Sequence, residues 1–97
     1  MLIHIVCWKY KPEITEEERT SHRVGLAALA FSIPNEGFEV GADVLHLERS
    51  FETGLVARFV DRDGLDTYTD HPEHKEVAAL GKQIASQVVS VDFIIDD

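Results

Sequence analysis

Residues 1–10 read MLIHIVCWKY, and the fold turns on how this stretch is buried. β-Branched and aromatic side chains dominate it and Lys11-Pro12 closes it, the pattern of a strand. One face carries Leu2, His4, Val6, Trp8 and Tyr10, the other Ile3, Ile5, Cys7 and Lys9. Both faces are largely apolar, so the strand expects cover on both sides.

Downstream, Thr15-Glu16-Glu17-Glu18 is a capping box, with Thr15 at the cap and three acids at the positive end of a helix. Val24, Ala27, Ala28 and Phe31 mark the expected buried face of that helix, which ends before Ile33-Pro34. A turn over 34–37 leads to a second strand, expected from Phe38 through Leu47 with an interruption near Gly41. A polar connection over 49–54 gives way to a third strand, Leu55 to Val60. Asp61-Arg62-Asp63-Gly64 opens a short helix to about Tyr68. Pro72 then restarts the helix, and its periodic Val77, Leu80, Ile84 and Val88 carry it to about Gln87. Val88 to Ile95 is the last strand, closed by Asp96-Asp97. The order β-α-β-β-α-β is the ferredoxin-like α+β arrangement: one domain over 1–97, a four-stranded antiparallel sheet, and helices on one face.

Helices on one face leave the other bare. Ile3, Ile5, Val89, Val91 and Phe93 would form an open apolar surface, which a second copy of the chain would cover sheet to sheet. The expected partner is therefore the protein itself.

Composition narrows the function classes. Across 97 residues, nine Lys/Arg stand against eighteen Asp/Glu, a formal net charge of −9. Such a chain repels phosphate backbones and anionic lipid, so no nucleic-acid and no membrane partner is expected. The lone Cys7 precludes an internal disulfide and any thiolate-rich zinc site within one chain. The opening stretch lacks the basic start and length of a secretory signal, and no run approaches a membrane span, which points to the cytoplasm.

Chemistry concentrates in His4, Tyr68, His71 and His74. A metal would need His71 and His74 plus His4, Asp70 or Glu73, but His71 before Pro72 reads better as a helix cap, and no metal is expected. An imidazole beside a tyrosine hydroxyl lining an apolar pocket could take a proton next to a carbonyl and polarise that carbonyl. Alternatively, Tyr68 and His74 merely satisfy each other at a helix junction. His22 and His46 read as surface or structural, and no phosphate loop or nucleophile elbow is present.

Taken together, His4-Ile5-Val6 with Lys9-Tyr10-Lys11, Ile14-Thr15-Glu16-Glu17-Glu18, Ile33-Pro34, Phe38-Glu39-Val40-Gly41, Tyr68-x-x-His71-Pro72-x-His74 and Val91-Asp92-Phe93 resemble the stress-responsive A/B barrel (Dabb) domain family over essentially the whole chain. The resemblance implies a dimeric α/β barrel of two ferredoxin-like protomers, without cofactor. One branch of the family, olivetolic acid cyclase, closes a linear polyketide by an aldol-type step. Its catalytic tyrosine and histidine match Tyr68 and His74, and its pocket histidines match His4 and His71. The pocket wall implied here is His4, Val6, Trp8, Leu55, Ala57 and His71, with Trp8 and Ala57 reshaping it so that a long alkyl tail is not implied. The expectation is a dimer binding, or acting on, a small carbonyl compound; the alternative is a non-catalytic, stress-protective binding module.

Overall fold

Because β1 (Leu2–Tyr10) is apolar on both faces, it takes the interior of the sheet. It pairs antiparallel with β3 (Thr53–Phe59) on one side and β4 (Ala85–Ile94) on the other. β2 (Gly37–Ala42) adds to the far edge of β3, giving the order β2-β3-β1-β4. Three helices, α1 (Glu16–Ser32), α2 (Arg62–Asp70) and α3 (Pro72–Ile84), complete a ferredoxin-like α+β fold. The computed structural model describes residues 1–96; Asp97, half of the expected closing pair, lies outside the described residues. The core joins Leu2 and Trp8 of β1 and Leu55, Ala57 and Phe59 of β3 to helix residues such as Leu26, Tyr68 and Ile84.

The capping box forms as read. Thr15 Oγ1 accepts from the Glu18 amide at 3.1 Å, and Glu18 Oε1 accepts from the Thr15 amide at 3.1 Å. The buried face of α1 is not the expected one. His22, Leu26 and Leu29 face the sheet with Ile33 at the C-cap, while Val24, Ala27, Ala28 and Phe31 face outward, Phe31 at 94% exposure. Both stripes have helical spacing. The larger aliphatics sit on the true one, which is masked in sequence because its first member is a histidine. That histidine is buried because Tyr10 meets it: the Tyr10 hydroxyl lies 2.7 Å from both His22 Nδ1 and Thr53 Oγ1.

Several boundaries also move, β3 running Thr53–Phe59 rather than Leu55 to Val60 and α2 reaching Asp70. β2 stops at Ala42 rather than Leu47, since the 43–52 connection folds on itself. There Asp43 Oδ2 accepts from the His46 amide at 2.6 Å, and His46 adopts φ 54°. α3 stops at Ile84 rather than Gln87, and the chain passes straight into β4 at Ala85. The reversal is tied back to β1, with the Lys11 amide donating to the Ile84 carbonyl at 3.0 Å.

The sheet face opposite the helices carries Ile3, Ile5 and Cys7 of β1 in register with Phe93, Val91 and Val89 of β4. No helix covers it, and Val89, Val91 and Phe93 remain exposed. As an edge strand β4 is thinly covered on the helix side too. That gap creates the cleft described next.

Candidate functional site

A cleft of about 240 Å³ opens between α3 and the helix-side face of β1 and β4. Its floor follows the strand register. His4 lies opposite Asp92, Val6 opposite Ser90, and Trp8 opposite Val88. Tyr68 and Thr69 close one end from α2, and His74, Ala78 and Lys82 line it from α3 at helical spacing.

The local sequence explains the aim of these side chains. Pro72 has no amide hydrogen to give α2, and the residue before a proline is driven to extended backbone. His71 accordingly has φ −66° and ψ 133°, ending α2 and capping α3, where its Nδ1 accepts from the Glu73 amide at 3.2 Å. The break turns α3 so that His74 returns over Tyr68. Their ring centroids are 4.3 Å apart, with planes inclined at 48°.

Tyr68 is 2% exposed, its ring held by Phe38, Phe59 and His4 at 5.3–5.8 Å between centroids. Its hydroxyl has no hydrogen-bond partner among the described residues. Nor is it sealed: the one fully buried side-chain polar atom left unpartnered among those residues is His22 Nε2. Burial pushes the Tyr68 hydroxyl up to about 12, so it stays protonated as a donor at neutral pH.

His74 Nδ1 donates to the Thr69 carbonyl at 3.0 Å. A carbonyl only accepts, so the proton sits on Nδ1 and Nε2 keeps its lone pair. Burial holds His74 below the ordinary histidine value, helped by the neighbouring His4 and His71 and opposed by the Thr69 carbonyl. It is therefore a neutral base at pH 7. His4 is pinned in the same way, Nδ1 donating to Asp92 Oδ1 at 2.5 Å.

Of the residues named from sequence, His4, Val6, Trp8, Tyr68 and His74 meet in this cleft. Leu55 and Ala57 do not line it; they lie fully buried on β3 as packing. His71 caps α3 outside the lining. Nor do Tyr68 and His74 satisfy each other: His74 spends its bond on Thr69, and no hydrogen bond joins it to Tyr68. Among the described residues no three His, Cys, Asp or Glu side chains stand close enough to hold a metal ion. Sequence reasoning missed Asp92 and Lys82. The signal for Asp92 was present: Ser90 and Asp92 interrupt the apolar run of β4 at alternate positions, facing His4's side.

A family model described as the stress responsive A/B barrel domain matches residues 2–95. The chain belongs to this family. A search of curated proteins found no match. Solved structures similar to this A/B barrel domain include a dimeric ferredoxin-like protein of unknown function from Thermobifida fusca, 24% identical, with TM-score 0.88, covering 97% of this chain and 90% of that one. A protein from Arabidopsis thaliana is 22% identical with TM-score 0.85, covering 100% of this chain and 97% of that one. A hydroxynitrile lyase from Passiflora edulis is 17% identical with TM-score 0.87, covering 99% of this chain and 94% of that one. At such identities the likeness is one of fold. No helix of the described residues is long and apolar enough to cross a membrane.

Proposed function

We propose that this A/B barrel protein is a cytoplasmic homodimer of single-domain chains that performs acid–base chemistry on a small carbonyl compound, polyketide-like in kind, without a cofactor. The carrying observation is that His74 and Tyr68 line one cleft, with His74 Nε2 and the Tyr68 hydroxyl each free of a protein partner among the described residues. Nε2 takes a proton from the carbon beside the carbonyl, and the Tyr68 hydroxyl donates a hydrogen bond to the carbonyl oxygen. Negative charge then gathers on that oxygen, where a fixed donor in an apolar wall stabilises it most. The enolate formed can close onto a second carbonyl, lose a leaving group, or be reprotonated elsewhere: cyclase, lyase and isomerase outcomes share this first step. The lyase among the structures of like fold supports the capacity of the scaffold, not a substrate. Pairing through the open sheet face leaves the cleft free, because the cleft lies on the helix side.

The test is exchange of α-protons of methyl butyl ketone for deuterium, followed by NMR. His74→Ala should slow the protein-catalysed exchange by a factor on the order of 10²–10⁴. Exchange undiminished in that variant, or absent from the native protein, would leave the non-catalytic binding module as the better account.

A further inference from the structure

The two ends of the cleft are chemically unlike. α3 runs into β4 without a connecting loop, so it lies back along β4 in the opposite direction. His74 therefore stands over the His4–Asp92 row and Lys82 over the Trp8–Val88 row. Eight residues of helix place their Cα atoms about 12 Å apart. The four residue steps of strand from His4 to Trp8 span about 13 Å of floor. Between the ends the wall is mostly apolar, formed by Val6, Leu26 and Ala78, with Ser90 beside Val6 as its polar member.

Lys82 is the one Lys or Arg in this lining, and among the described residues no carboxylate pairs with it. A lysine in the last turn of a helix also suits the helix dipole, so its place in sequence decides nothing. Its place in the wall does. Long helical side chains lean toward the helix N-terminus, which is the end of α3 that carries His74. In a chain of net charge −9 the overall field disfavours an approaching anion, and a cation at the cleft offsets that locally.

We infer that Lys82 forms an anion-binding subsite at the far end of the cleft, and that the ligand class is a keto acid. Its enolisable ketone lies between Tyr68 and His74, a short apolar chain crosses Val6 and Ala78, and its carboxylate meets Lys82. The inference rests on the acid–base reading of Tyr68 and His74 and adds to it the charge and length of the substrate.

The probes are ω-acetylbutyrate, a methyl ketone joined to a carboxylate by a short methylene chain, and its neutral methyl ester. Binding is read from the His74 ring resonances by NMR titration. The native protein should bind the acid about fivefold more tightly than the ester, between the worth of an exposed ion pair and that of a desolvated charged hydrogen bond. Lys82→Met should abolish that preference, and Lys82→Glu should reverse it. Equal binding of acid and ester, with both moving the His74 signals, would overturn the Lys82 subsite and leave the carbonyl site standing. A preference that survives Lys82→Met would do the same. Failure of both probes to move the His74 signals would overturn the subsite and the carbonyl site together.

Discussion

A single proton position decides what His74 can do. The Thr69 carbonyl holds Nδ1–H, so Nε2 is the free base, and burial keeps the ring neutral. Tyr68 complements it by having nothing to bond. A partly buried hydroxyl with no protein partner contributes little to folding stability. Tyr68→Phe should therefore leave the unfolding midpoint unchanged or slightly raised, while α-proton exchange falls by about 10²–10³, the usual loss of one oxyanion donor. A fold weakened by more than about 1 kcal/mol would mean that the hydroxyl has a structural partner. The residue types at this site were legible in sequence, as was His71 as a cap. The tautomer was not, because it depends on a backbone carbonyl whose direction only the helix break sets. Asp92 escaped for a related reason: its pairing with His4 spans 88 residues and follows from strand register.

At the scale of elements, α1 shows why spacing alone misleads. Two apolar stripes share its surface, and a buried histidine on the true one disguised it. The same histidine explains Gly81 within α3. A Cβ there would stand 3.1 Å from both His22 Nε2 and the Trp8 indole nitrogen, two rings already packed edge to face. Gly25 in α1 has nothing within 4 Å of such a Cβ. Both glycines are helical, so alanine gains up to about 1 kcal/mol of propensity at either. Gly25→Ala should be stabilising by about that amount, whereas crowding at Gly81→Ala should cost about 1–3 kcal/mol and outweigh it. Urea unfolding of the two variants checks the contrast, and stabilisation by both would show that α1 and α3 are packed more loosely than described. Strand and helix ends moved where local bonding overrode pattern, as at Asp43 and at Ile84.

Across the whole molecule, the layered architecture was the most legible property, since it needs only which stretches are apolar and in what order. The open face of β1 and β4 follows from it, and so does the proposed pairing of two chains. Ile5→Asp, which puts a charge in the middle of that face opposite Val91, should weaken the dimer by several kcal/mol. Sedimentation at micromolar concentration should then find monomer for the variant and dimer for the native chain; a native monomer would refute the pairing. The cleft itself depends on β4 being an edge that α3 does not fully cover, a matter of packing that no sequence pattern announced. The proposed activity depends on proton transfer in that cleft, and the pH dependence of α-proton exchange reports on it. With His74 as base and Tyr68 as donor, the rate should rise through a midpoint below 6.5, hold level across neutral pH, and fall only as Tyr68 ionises near about 12. A profile without the lower limb, or one left unchanged by His74→Ala, would contradict it.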